Sequence, residues 1–255
     1  MVFQSSLRRA AVRTAVAGAV MAGLLAFAPQ GAGAVAACPA AAGNPRVARL
    51  LYIIVPARCP DSGGLAYWTA ALDHGEGSGT AFRKFEGAPG FLSFVVSNRY
   101  QRILARTPSA SETTYWSKWL NDHDGSLYFE ALLAGSHEFF VTMGSSTNID
   151  FITAAYKRLL SRYPDSAAQS YWSNYLAHGG SRLAMTSALV DSNERLRATI
   201  QNEYGYVLYR SADAGAVSFW LSHLRPHPDV FALDQVLAAS HEFYSLAQTQ
   251  PNPRV

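Results

Sequence analysis

Catalytic signatures are missing from this chain of 255 residues. No zinc-protease motif and no nucleophile elbow occurs. The glycine-rich stretch at 75–79 lacks the Lys and the preceding strand of a phosphate loop, so it reads as a turn. Asp122-His123-Asp124-Gly125 looks like part of a calcium loop, yet Leu120 stands two before Asp122 and no Glu follows Gly125 by six. EF-hand spacing therefore fails. Ser136-His137-Glu138 and Ser240-His241-Glu242 name the members of a hydrolase triad. Neighbours on a helix diverge by about 100° and cannot relay a proton to one another. No enzyme activity, cofactor or metal is expected. His74 and His178 each precede a Gly six after a Trp and read as helix caps.

Long apolar runs are equally scarce. One covers 16–27, preceded by Arg8, Arg9 and Arg13 and followed by Ala-x-Ala sites ending at Ala34 and Ala36. This is the pattern of a secretory signal peptide over 1–36, too short and wrongly flanked for a stable anchor. No second run is long enough to span a bilayer, so no transmembrane segment is expected. The expected location is outside the cell, free or at the cell surface.

Charge of one sign is also lacking. The 21 Lys plus Arg exceed the 18 Asp plus Glu by three, and the three leader arginines account for the difference. A neutral mature chain carries no electrostatic footprint for nucleic acid. Cysteine is limited to Cys38 and Cys59. In an exported chain an even pair reads first as a disulfide. Val35-Ala36-Ala37-Cys38 also resembles a lipobox, although 29–34 separate it from the apolar run. A lipid anchor on Cys38 stays open as the second reading.

What the chain does have is repetition. Tyr52, Tyr100, Tyr156 and Tyr204 are each followed sixteen positions on by Trp68, Trp116, Trp172 and Trp220. Arg58, Arg106, Arg162 and Arg210 stand six after each Tyr, and Leu72, Leu120, Leu176 and Leu224 four after each Trp. Asp61, Ser109, Asp165 and Asp213, seven before each Trp, are residues that cap helices. Five columns in register predict an array of one supersecondary unit of roughly fifty residues.

The third copy shows how a unit should fold. Phe151, Ala155, Tyr156, Leu159 and Leu160 form one helical apolar face, and Pro164 stops it. Asp165 starts a second helix carrying Tyr171, Trp172, Tyr175 and Leu176, which Gly179 and Gly180 end. Ser181 starts a third, with Asn193, Glu194 and Arg195 near its end. A Ser-x-Glu triplet closes on Glu138, Glu194 and Glu242, while the first copy has Ala88-Pro89-Gly90 instead. The expected fold is all-α: a tandem repeat of three-helix units arranged as two pairs. The boundaries fall at 37–91 for a degenerate cap, 92–142, a joint at 143–149, then 150–196 and 197–248, with a tail at 249–255.

The pattern Tyr-x-x-x-Leu-x-Arg-x-Pro-Asp, then Tyr-Trp, then Ser-x-Glu resembles the bacterial family known as domain of unknown function 4214. Tyr156, Leu160, Arg162, Pro164, Asp165, Tyr171, Trp172, Ser192 and Glu194 carry the match. The resemblance implies helical units similar to phycobilisome linker domains, and surface or secreted proteins with binding or assembly roles.

The roles expected of the columns follow. Trp68, Trp116, Trp172 and Trp220 are core. Arg106, Arg162 and Arg210 pair with Glu138, Glu194 and Glu242, and Arg58 turns to Glu86. Trp119 does not recur, and with Tyr175 it is the candidate contact surface. The expected function is a non-enzymatic binding or assembly module with a protein or envelope component as partner. The alternative is binding or hydrolysis of cell-wall polysaccharide by Trp119, Tyr175 and a carboxylate in a groove between repeat pairs.

Overall fold

A computed structural model describes residues 41–54, 59–88, 90–123, 125–225 and 229–249. Among these residues the chain is all-α, with fourteen helices and no strand. In order they are α1 (Gly43–Ile54), α2 (Ser62–Asp73), α3 (Ser78–Glu86), α4 (Phe91–Leu104), α5 (Ala110–Asp122), α6 (Ser126–Ala134) and α7 (His137–Thr142). There follow α8 (Asn148–Leu160), α9 (Ser166–Ala177), α10 (Arg182–Val190), α11 (Asn193–Val207), α12 (Ala214–Leu224), α13 (Val230–Ala238) and α14 (His241–Thr249). None is long and apolar enough to cross a membrane. The leader, Cys38, Arg58 and the end of the tail lie outside the described residues, and with them the Cys38–Cys59 and Arg58–Glu86 pairings.

Short polar residues place the helix starts. Asp61, Ser109, Asp165 and Asp213 each accept from the backbone N–H three residues on, the bond that satisfies a free donor at a helix N-terminus. Ser109 and Glu112 close a reciprocal capping box. His74 and His178 form C-caps, and their Nδ1 atoms meet the carbonyls of Ala70 at 2.6 Å and Asn174 at 2.8 Å. The backbone turns left-handed at Ala105, Ser161 and Tyr209, each the residue before a recurring Arg.

The chain divides into two compact units. The first comprises the described residues among 41–94, 203–211 and 231–249. Its centre is α1, whose Val47, Ala48, Leu51 and Tyr52 are sealed from solvent and which packs on α2, α3 and α14. The Tyr52 ring meets Phe85 edge-on at 4.8 Å, and Trp68 stacks on Phe85 at 4.5 Å. Gly64 is required there, since a Cβ would stand 2.1 Å from the Tyr52 hydroxyl.

The second unit comprises 95–202 and 212–230. Within it α6 packs on α10, and α8 packs on α9 and α10. A Cβ on Gly135 would lie 2.8 Å from Leu183 Cα, so a larger residue there would force these segments apart.

Two boundaries differ from the sequence reading. The Ser-x-Glu triplets open helices: Ser136, Ser192 and Ser240 accept from the N–H groups of Phe139, Arg195 and Phe243. Asn193, Glu194 and Arg195 thus begin α11 and do not end a third helix, so the boundary at 196/197 falls inside a helix. The boundary at 91/92 likewise falls inside α4. The joint at 143–149 lies within the second unit as a packed turn. Gly144 N–H donates to Phe139 O at 3.0 Å and Ser146 N–H to Phe140 O at 3.0 Å.

Candidate functional site

The recurring arginines sit where a helix has just ended. Arg162 places Nε at 2.5 Å from Glu194 Oε1 and Nη2 at 2.7 Å from Oε2. Arg210 repeats this on Glu242 at 2.5 and 2.8 Å, and Arg106 makes the same fork on Glu138. Two parallel charge-assisted bonds fix both planes. In each case Nη1 donates to the next residue's carbonyl, at Thr107, Tyr163 and Ser211. The guanidinium also lies over the preceding Tyr ring, 4.9 Å from Tyr100, 5.1 Å from Tyr156 and 5.2 Å from Tyr204. Tyr, Arg and Glu thus form one latch tying the end of one helix to the start of another.

These latches stand at the surface. The Arg162 and Glu194 side chains are 40% and 45% exposed. The Arg162 fork holds the Glu194 carboxyl below its ordinary range, and Arg210 does the same to Glu242. Arg106 has a second carboxylate, Glu112, at 2.6 Å. That contact takes the Glu112 carboxyl down to about 2. Burial, with Glu112 close by, raises the Tyr100 phenol to about 12. The forks leave little of the Arg column for a ligand.

The tryptophans do not share one environment. Trp68 and Trp220 are buried, at 3% and 7% exposure. Trp116 and Trp172 are only half-buried, which corrects the expectation of a uniform core column. Trp172 donates from Nε1 to the Tyr156 hydroxyl at 3.2 Å. Trp119 is half-buried as well, stacked on His123 at 4.5 Å and edge-on to Trp116 at 5.8 Å. Tyr175 is half-buried against Trp172, and its hydroxyl accepts from Ser181 N–H at 3.2 Å.

The more exposed aromatics are different residues. Tyr67, Tyr115, Tyr171 and Phe219 stand immediately before the four tryptophans and are 42%, 62%, 63% and 52% exposed. Each meets its Trp edge-on, with centroids at 5.1, 5.0, 4.9 and 5.3 Å. Helical geometry explains this: successive residues point about 100° apart, so when the Trp turns inward its predecessor turns out. The signal was present as a third aromatic column, but recurrence alone reads as core.

Sequence spacing also gave no hint of the polar cluster around Glu130 in the second unit. Glu130 on α6 is fully buried. Arg99 Nε lies 2.9 Å from Oε1 and Arg195 Nη2 2.8 Å from Oε2, and Arg102 Nη2 is in direct contact. Burial alone would raise the Glu130 carboxyl, and Arg99, Arg102 and Arg195 outweigh it, so the net shift is downward. Burial and the neighbouring arginines lower Arg102 to about 10.

Open depressions occur among the described residues. One of about 490 Å³ in the first unit is lined by Tyr67, Ala70, Ala71, His74, Gly75 and Glu76. Another, about 370 Å³ in the second unit, includes Arg197 and Arg225. Neither is lined by Trp119 or Tyr175. Among the described residues no group of three His, Cys, Asp or Glu side chains is placed to hold a metal. Ser136 and Ser240 are helix caps, and Glu138 and Glu242 are held by Arg106 and Arg210.

Residues 131–199 match the family described as Domain of unknown function (DUF4214). The matched stretch includes the Arg162–Glu194 latch, Tyr171 and Trp172. No curated protein and no solved structure matches the chain.

Proposed function

We propose that the chain is a secreted, non-enzymatic module that binds or assembles with a protein at the cell envelope or outside the cell. In this reading four tandem copies of a three-helix unit, similar to phycobilisome linker domains, present the contact surface. Cys38 and Cys59 close the N-terminal arm. The observation that carries the proposal is the column of solvent-facing rings at Tyr67, Tyr115, Tyr171 and Phe219. Arg106, Arg162 and Arg210 are held with Glu138, Glu194 and Glu242 in latches, whereas these rings turn outward four times. Rigid aromatic side chains supply contact area at low entropic cost, and they are enriched in protein interfaces.

The test is capture by the immobilised mature chain from two separated envelope fractions, protein and protein-free polysaccharide. A variant carrying Tyr115→Ser, Tyr171→Ser and Phe219→Ser is the comparison. Capture of a defined protein that the variant loses is the expected result. Equal capture by the variant would show that the rings are not the contact. Retention of polysaccharide alone would replace the proposal with the glycan reading, since exposed rings also stack on sugars.

A further inference from the structure

We propose that Arg99, Arg102 and Arg195 around Glu130 form an oxyanion site that takes a phosphate group, free or as a phosphomonoester. Three guanidiniums converge on one carboxylate. Among the described residues Glu130 is the only carboxylate ion-paired with any of them, so two positive charges stand uncompensated. Their hydrogen bonding is incomplete as well. Arg195 Nη2 donates to Glu130 at 2.8 Å, and Arg99 Nε and Arg102 Nη2 crowd onto the other oxygen of the same carboxylate, while Arg102 Nε and Arg195 Nε are buried without an acceptor among the described residues. Sealed, unmatched cationic donors are costly unless an anion joins them.

The cluster is not closed. The Arg102 side chain keeps 37% of its surface open and that of Arg99 keeps 21%. Among the described residues no acceptor meets Arg102 Nη1. This open side can receive a ligand oxygen while Glu130 anchors the guanidiniums from below. A phosphate carries between one and two negative charges near neutral pH and offers several acceptor oxygens, so it matches both the charge excess and the number of forks. A single carboxylate matches neither.

Repetition argues against a purely structural role. The position fourteen after each Trp holds Phe82, Glu130, Thr186 and Asp234. The features that build the fold recur; this cluster, made by Arg99, Arg102 and Glu130 of the second copy and Arg195 of the third, does not. It stands independently of the binding role proposed above.

The experiment titrates the mature chain with inorganic phosphate by calorimetry, with chloride holding ionic strength constant. A parallel titration uses glycerol phosphate. Saturable binding is expected, accompanied by a rise in thermal midpoint that chloride does not reproduce. Arg102→Gln should weaken it by about tenfold to a hundredfold, the loss expected for one charge-assisted bond. Lys118→Gln removes a positive charge from an exposed pair and should leave it unchanged. Tighter binding of the ester would point to a phosphorylated polymer, and equal binding to free phosphate. Should Arg102→Gln fail to fold by circular dichroism, Arg99→Gln replaces it. Absence of saturation in the wild type, or unaltered affinity in a folded arginine variant, overturns the proposal.

Discussion

Ala105, Ser161 and Tyr209 hold left-handed backbone angles, with φ between 53° and 57°. A side chain there crowds its own carbonyl, at a cost of about 1–2 kcal/mol that glycine avoids. None of the three is glycine, and each takes the strained turn directly before the Arg that enters its latch. Ala105 is exposed, so its methyl contributes little packing. Ala105→Gly is expected to stabilise the protein by about 1 kcal/mol in chemical denaturation. A loss of stability would mean that the turn is not left-handed. The tryptophans give a second contrast at this scale. Trp68→Ala and Trp220→Ala should cost about 3–5 kcal/mol, as buried aromatic truncations do. Trp116→Ala and Trp172→Ala should cost distinctly less, since part of each side chain is already open to solvent. Equal losses at all four sites would contradict the division. Composition could not announce that division: one Trp at one motif position meets different neighbours in each copy, and burial is a property of the neighbours.

At the scale of elements, the latches couple helix end to helix start across 32 residues. Their legibility from sequence was high, because two columns of opposite charge recurred together. Their energetics were not legible, because exposure depends on what lies outside the pair. At 40% and 45% exposure, the Arg162–Glu194 pair is expected to contribute under about 1 kcal/mol. A double-mutant cycle of Arg162→Met with Glu194→Gln should return a coupling of that size. Arg106 binds Glu138 and Glu112 at once, so Arg106→Met should destabilise more than Arg162→Met. The reverse order would show that the second carboxylate adds nothing. In the sequence the Ser-x-Glu triplet reads as lying near the end of the third helix. Serine with a nearby Glu also opens helices, and hydrogen bonds decide between the two. The Glu130 cluster left no trace in the periodicity, since its arginines come from distant positions and match no column.

For the whole molecule, several carboxylates share one direction of shift. Glu112 is held at about 2, and Glu130, Glu194 and Glu242 are all lowered. An unfolded glutamate titrates near about 4.3. Each group binds fewer protons when folded, so its contribution is complete above that value and is lost as pH falls toward the folded pKa. Thermal midpoints should therefore be level above about pH 5 and decline steadily toward about pH 2. Glu112→Gln should reduce the slope at the acid end of that range. A midpoint that stays level throughout would remove electrostatics from the account of stability.

The turn at 143–147 answers an arithmetic problem. From Ser192 to Tyr204 the chain advances twelve positions, and α11 covers them unbroken. From Ser136 to Tyr156 it advances twenty, eight more. Eight residues rotate an α-helix by about 800°, two full revolutions and about 80° over. Left continuous, such a helix would swing Tyr156 nearly a quarter revolution away from the indole nitrogen it meets at 3.2 Å. Seven or eleven additional residues would have come back to within about 20° and could have been absorbed as plain helix. Eight leaves a remainder too large to bend away. The chain discards it by stopping after Thr142, reversing its handedness at Ser145 and Ser146, and restarting its angular count at Asn148.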